Sequence, residues 1–249
     1  MTPLQRLARR LGYDLTPRRQ AKPPNAQLAA VLARFAISCV LDVGANRGQY
    51  AAMLRAWGYR GRIVSFEPLA EAHATLARRA RGDPGWQVAP RMALGERDGD
   101  VEIAVSAESD MSSILPQSAL LKKVSPSSAV IGGETVLLRR LDGVVGTYLR
   151  SDDRVFLKID TQGYEAQVLA GAGDLIRRLS GIQLEMSLVP IYDGEQDFRA
   201  TFDQLVGAGF ELYLLLPGYF ERKLARQLQA DGVFMWPAAL PADARLTAG

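Results

Sequence analysis

The sequence is short of the side chains that most hydrolytic and metal-dependent enzymes rely on. It has one cysteine, Cys39, and one histidine, His73. A single cysteine excludes an intrachain disulfide. Together the two cannot supply the Cys and His ligands of a zinc site, and no metal ligand is assigned; Mg²⁺ on two or three converging carboxylate oxygens is the lesser alternative. A Ser-His-Asp triad would have to recruit His73, which the helical pattern around it places mid-helix, away from any strand end. No apolar run approaches the roughly 18 residues of a membrane span. The opening MTPLQRLARRLGYDL has no apolar core long enough for a signal peptide, which predicts a cytoplasmic protein. Internal repeats and low-complexity tracts are missing too. Excess charge is small: 30 basic and 27 acidic residues leave +3, too little to argue for nucleic acid. Carboxylates, hydroxyls and amides are left to carry any reaction.

What is there reads as an ordinary globular chain of 249 residues, 48% hydrophobic and 23% charged, long enough for one large domain or two small ones. Basic charge is concentrated in residues 1–22, where Arg6, Arg9, Arg10, Arg18, Arg19 and Lys22 face one acid, Asp14. Leu4, Leu7, Ala8 and Leu11 repeat at helical spacing, and Gly12 and Pro17 end that element. Its leucines have two uses. They can pack on the protein's own domain, or, with the arginines beside them, lie on an anionic membrane surface as a weak peripheral contact. After the Pro23–Pro24 linker, Asn25 is the expected N-cap of a second helix with Leu28, Val31, Leu32 and Phe35 on one face. Residues 1–38 therefore read as a basic helical extension, 39–240 as the main domain and 241–249 as a tail.

From Cys39 onward strands and helices alternate. CVLDVG (39–44), RIVSFE (62–67), WQVAPRMAL (86–94), DVEIAVS (100–106), RVFLKID (154–160) and GIQLEMSL (181–188) read as strands. Helices are expected over 47–57, 69–81, 165–179 and 196–208. TVLLRRLD (135–142) reads as an extra strand, and 107–133 as a long loop of the kind that is functional or mobile. FELYLLL (210–216) and DGVFMW (231–236) close the chain without a long crossover, which predicts an antiparallel last pair on an otherwise parallel sheet. The fold class is α/β and Rossmann-like, with its ligand site at the C-terminal strand ends.

The strongest local signal is LDVGANRGQY (41–50), where the first strand turns into the first helix. Gly44 and Gly48 permit a tight turn and close approach to a ligand. A dinucleotide site would show G-x-G-x-x-G; here Asn46 stands at the middle glycine and Gln49 at the last. Asp42, two residues before the turn, would repel a pyrophosphate but suits a ligand bearing an ammonium and a sulfonium. D-x-G-x-x-x-G thus favours S-adenosylmethionine over NAD. Glu67 ends the second strand about 20 residues on, where an acid pairs with ribose hydroxyls. An NAD-linked oxidoreductase remains the alternative, disfavoured by the missing glycine and by Asp42. A base-methylating enzyme would carry N/D-P-P-Y/F after the fourth core strand, where this chain has IDTQGY. A non-catalytic binding module is a third reading, opposed by the strand-end carboxylates.

LDVGANRGQY, SFEPL (65–69), ALGERDGD (93–100), SSIL (112–115), LKIDTQGYEAQVLAGA (157–172), IQLEMSLVPIYDGE (182–195), GF (209–210) and DGVF (231–234) occur in that order. The chain resembles the FkbM family of methyltransferases over residues 39–236. KIDTQGYE is the most specific block, because generic methyltransferases lack it. The resemblance implies a class I methyltransferase fold; the short helical N-terminal extension, residues 1–38, lies outside it. It also implies O-methylation from S-adenosyl-L-methionine onto a sugar or glycolipid acceptor, or a polyketide. It puts Asp42, Gly44, Asn46 and Gly48 in the cofactor loop and Glu67 at the ribose.

A hydroxyl acceptor must lose its proton, so a base within hydrogen-bond reach is expected. Asp160, ending the fourth core strand, is the first candidate, and it can equally hold the methionine part of the cofactor. Glu165, opening the next helix, and Glu185, near the end of the fifth strand, complete the catalytic set; Glu165 can also simply complement the helix dipole. Ser112 and Ser113 are expected in a lid. Tyr192 and Trp236 are expected either to line an acceptor pocket or to sit in the core. Cys39 is expected in the core and His73 on a helix surface.

Overall fold

The computed structural model describes residues 3–12 and 23–242. Arg18, Arg19, Lys22, the predicted break at Pro17 and most of the 241–249 tail lie outside the described residues. In chain order the elements are α1 Pro3–Arg10, α2 Pro24–Arg34, β1 Cys39–Val43, α3 Gln49–Ala56, β2 Arg62–Phe66, α4 Ala70–Ala80, β3 Trp86–Val88, β4 Ala93–Gly95, β5 Gly99–Ser106, α5 Ala119–Val124, β6 Val130–Arg140 and α6 Leu141–Val144. Then follow β7 Val155–Ile159, α7 Glu165–Ala172, β8 Leu179–Ser187, α8 Phe198–Gly207, β9 Glu211–Pro217, β10 Phe220–Glu221, β11 Arg226–Gln227 and β12 Gln229–Met235.

Seven strands form the central sheet in the order β3-β2-β1-β7-β8-β12-β9. The first five run parallel. β12 slots between β8 and β9 and runs antiparallel to both. The expected antiparallel last pair is present, with the final strand inserted inside the edge. β1 and β7 are buried at every position, as strands covered on both faces must be. Their apolar residues alternate between two cores. Cys39, Leu41 and Val43 join Leu157, Ile159, Val168 and Leu184 on one face. Val40, Ile63, Phe156 and Val233 join Leu28, Leu32 and Leu54 on the other.

That second core takes in residues that precede Cys39. Leu28, Leu32 and Phe35 of the α2 region pack with Val40 of β1, so α2 belongs to the body. Asn25 does not cap it: Pro23 holds the N-cap position and Pro24 the first turn, where a missing N–H costs nothing. α1 differs. Ala8 is buried, but Leu4, Leu7 and Leu11 are 65%, 56% and 67% exposed, so these leucines are not packed on the domain.

The middle of the chain departs furthest from expectation. WQVAPRMAL is not one strand. Pro90, without an N–H for a ladder, separates β3 in the central sheet from β4, which belongs to a second sheet ordered β4-β6-β5. The predicted 107–133 loop contains α5, and β6 starts at Val130. β6 is exposed along its first half and alternates only from Val136, which is why its start leaves no periodic signal. The predicted 165–179 helix stops at Ala172 and continues as a 3₁₀ segment over Gly173–Arg178.

Candidate functional site

The turns after β1, β2 and β7 meet at the C-terminal end of the central sheet. Gly44 has φ +73°, and a Cβ there would lie 1.8 Å from the Asp160 carbonyl oxygen. Only glycine lets the first turn pass that close to the β7 turn. Gly48 has φ +82° and heads α3; its Cβ would strike the Trp86 ring at 2.8 Å. It serves the seating of α3 and does not face the site. Asn46, at φ +46°, donates its backbone N–H to Glu67 Oε2 at 2.8 Å. Glu67 Oε1 accepts from Leu69 N at 2.8 Å. Burial pushes the Glu67 carboxyl up to about 7, against the pull of those two N–H donors.

A cavity of about 670 Å³, open to solvent, lies over these turns. Gly44, Asn46, Glu67, Asp160, Ser112 and Ser113 all line it. Its walls are apolar at Phe66, Leu69, Met92, Leu94, Ile103 and Ile114. None of its lining residues is Lys or Arg, while Glu67, Asp110 and Asp160 are acids. Such a lining accommodates an apolar ring and a cation and repels a pyrophosphate. Both serines seat the 107–118 connection. Ser112 Oγ accepts from Ser106 N at 3.0 Å. Ser113 Oγ donates to the Gln162 carbonyl at 2.6 Å, tying that wall to the β7 turn.

Asp42 is elsewhere. It is fully buried beneath the turn and lines no cavity among the described residues. Burial raises its pKa, and Lys158 and Ser65 oppose that shift. Ser65 Oγ donates to Asp42 Oδ2 at 3.2 Å. Lys158 Nζ stands 3.4 Å from Asp42 Oδ1 and 3.3 Å from Asp160 Oδ2. Burial pulls the Lys158 pKa down, but Asp160, Asp42 and Asp231 outweigh it and hold the ammonium charged. This lysine was not singled out from the sequence. Its signal is a cation inside the otherwise apolar strand VFLKI.

Asp160 is the group the structure brings forward. Its side chain is 41% exposed, and Gln162 Nε2 donates to its Oδ1 at 2.8 Å. Glu165 and Glu185 do not line that cavity. Glu165 Oε1 accepts from Thr161 N at 2.7 Å and Thr161 Oγ1 at 3.2 Å, closing the turn that carries Asp160. Burial pushes its carboxyl up to about 7. Glu185 Oε2 accepts from Gln229 Nε2 at 2.8 Å and Gln162 Nε2 at 3.2 Å. Burial, then the nearby Asp160, Glu165 and Asp231, drives its pKa well up. Gln162, at φ +55°, is the hub the sequence reading missed. It joins Asp160, Glu185, Ser113 and Tyr192, whose hydroxyl donates to Gln162 Oε1 at 3.0 Å.

Tyr192 is a core residue, 1% exposed. Trp236 lies at the opposite end of the sheet, where its N–H bonds the Ser180 carbonyl and its ring packs edge-on to Phe210. Neither lines the cavity over the glycine turn. Cys39 is fully buried, and burial pushes its thiol up to about 11. His73 is not free on the helix surface: its Nε2 is 2.8 Å from the Ala89 carbonyl. Among the described residues no group of three or more His, Cys, Asp or Glu is placed to hold a metal ion. No helix among them is long and apolar enough to cross a membrane.

Comparison with known proteins adds a family. The model of the methyltransferase FkbM domain matches residues 42–212, well over half of the chain. No curated protein matches. Among solved structures, fibrillarin from Aeropyrum pernix, with natively bound S-adenosyl-L-methionine, is 14% identical. That match covers 85% of this chain and 76% of that one at a TM-score of 0.45. An rRNA methylase from Streptococcus thermophilus is 13% identical over 85% and 93%, TM-score 0.44. The mitomycin 7-O-methyltransferase MmcR is 10% identical over 85% and 52%, TM-score 0.45. These likenesses are distant, and they carry nothing about the acceptor. The family match stands on the segment that holds the glycine turn, Glu67 and the KIDTQGYE run, so the chain belongs to the FkbM family of methyltransferases and uses S-adenosylmethionine.

Proposed function

We propose that this enzyme is an O-methyltransferase acting in the cytoplasm on a hydroxyl of a sugar, carried by a glycolipid or related secondary metabolite. The observation that carries the reading is Asp160. It is a half-exposed carboxylate lining the cavity over the glycine turn, held by Lys158 and Gln162. S-adenosylmethionine supplies an electrophilic methyl on a sulfonium that leaves as a neutral thioether once the acceptor oxygen has taken the methyl. Glu67 would accept hydrogen bonds from the ribose hydroxyls, and the apolar walls at Met92, Leu94 and Ile103 would hold the adenine. Gly44 and Asn46 shape the turn beneath the methionine end. Gly48 and Asp42 support that turn from behind.

Asp160 takes the hydroxyl proton as the acceptor oxygen attacks, and passes it to solvent afterwards. Lys158, 3.3 Å away, pairs with the Asp160 carboxylate and holds it in place. Glu165 and Glu185 act at one remove as positioning residues, through Thr161 and Gln162. The SSIL wall over residues 112–115 excludes water from the reacting atoms. The catalytic body runs from α2 to about residue 240, preceded by the basic segment with α1. The exposed leucines of α1 support a peripheral contact with the membrane that carries the acceptor. Incubating the protein with methyl-labelled cofactor and glycolipid, free glycoside, polyketide and RNA acceptors tests the reading. Alkali-stable label on a sugar oxygen is expected. Label only on nitrogen, or only on RNA, contradicts it.

A further inference from the structure

A second cavity, of about 730 Å³ and open to solvent, adjoins the first and shares Gln49 and Asp160 with it. It lies between α3 and the α3-facing side of the sheet. Its floor is made by strand register. Lys158 stands beside Gln183, and Asp231 pairs with Glu185 two residues further along β8. Side chains two apart on a strand share a face, so Lys158, Asp160, Gln183 and Asp231 form a polar patch on an otherwise apolar side. Tyr50 supplies the facing wall. Its hydroxyl donates to Gln183 Oε1 at 2.8 Å, and Lys158 Nζ lies 5.2 Å from its ring centre. Gln183 Nε2 donates to Asp231 Oδ2 at 3.3 Å.

The charge of this patch is selective. Lys158 is the one cation that lines the cavity, and it is already shared by Asp42 and Asp160. Asp231 adds a carboxylate whose side-chain partner is an amide. A phosphate or carboxylate here would meet uncompensated negative charge in a partly dry site. Hydroxyls can donate to the two carboxylates and accept from the Gln183 amide, while the carbon face of a ring packs on Tyr50 and Met53.

We propose that this second cavity is the acceptor subsite, that it takes a neutral polyhydroxylated ring, and that Asp231 and Gln183 hold the hydroxyls flanking the one presented to Asp160. The inference rests on the first cavity being the cofactor site. The test is saturation-transfer NMR on the full chain loaded with S-adenosylhomocysteine. The probes are methyl glycosides of neutral hexoses and deoxyhexoses, a matched uronic acid and a hexose phosphate. Neutral glycosides should give transfer and the two anions none. Met53→Trp should put an indole where the ring would pack and abolish the glycoside signal. Asp231→Asn, a near-isosteric change, should weaken it about tenfold. Both variants should keep the wild-type affinity for S-adenosylhomocysteine. The proposal is overturned if no neutral glycoside binds, if the anions bind equally, or if both variants bind glycoside like wild type. Failure of S-adenosylhomocysteine to bind wild type would instead overturn the reading of the first cavity.

Discussion

Replacing Glu67 with glutamine should turn a pH-dependent affinity for S-adenosylhomocysteine into a weaker and pH-independent one. Burial raises the Glu67 carboxyl from its ordinary 4.5 to about 7, so near neutrality the ligand-free protein carries it about half protonated. Only the ionised carboxylate can accept from both ribose hydroxyls while keeping its bonds to Asn46 N and Leu69 N. Below about pH 7 binding must first expel the proton, and affinity should fall about tenfold per pH unit; above that it should be flat. The stability linkage has a definite sign. A carboxyl whose folded value is raised contributes stability that is present below 4.5 and lost as pH rises through about 7. The ligand-free protein therefore loses stability over that interval, and the thermal shift given by cofactor should grow. Hydrogen bonds to a charged acceptor contribute about 1.5–3 kcal/mol each, so Glu67→Gln should weaken binding about 10–100-fold at about pH 8. Calorimetric titrations from about pH 6 to about pH 8 on both proteins check this. A flat wild-type profile, or a variant that keeps the wild-type slope, would refute the placement of the ribose at Glu67.

Three further outcomes follow from the same geometry. Asp160→Asn should lose at least about 100-fold in turnover while S-adenosylhomocysteine still binds. Full turnover would remove Asp160 from catalysis, and lost binding would make it a cofactor ligand. Gly44→Ala puts a Cβ 1.8 Å from a backbone oxygen at a positive φ, and calorimetric melting should show a loss of about 2 kcal/mol or more, a fall in Tm of about 4–8 °C. An unchanged Tm would mean the two turns are not held that close. Anionic vesicles should sediment the full chain at low salt and lose it when residues 1–22 are deleted, each basic residue contributing about 1 kcal/mol. Indifference of the full chain to vesicles would end the membrane reading.

The sequence exposed the central sheet because β1, β2, β7 and β8 are short apolar runs between turn signals, each followed by a helix. It exposed Gly44 and Glu67 because strand-end positions in such a sheet are fixed by topology. What it concealed has physical reasons. β6 begins on an exposed surface, where no burial imposes alternation. Lys158 was hidden by its apolar neighbours, although its Cα partners Asp42 and Gln183 make it the centre of a polar row. Gln162 has no charge to attract notice, and its role comes from a bond to nearby Asp160 and three contacts across long sequence separations. Asp42 was read as a ligand because its position relative to the glycine turn is right, but strand alternation turns it under that turn, onto Ser65 and Lys158.

A crystal structure of the full chain with S-adenosylhomocysteine tests the account most directly. It should show the adenosine against Met92, Leu94 and Ile103, the ribose on Glu67, and the sulfur above the Gly44–Asp160 junction, facing the cavity floored by Lys158, Gln183 and Asp231. A ligand bound with its ribose away from Glu67, or with its sulfur remote from Asp160, would contradict it.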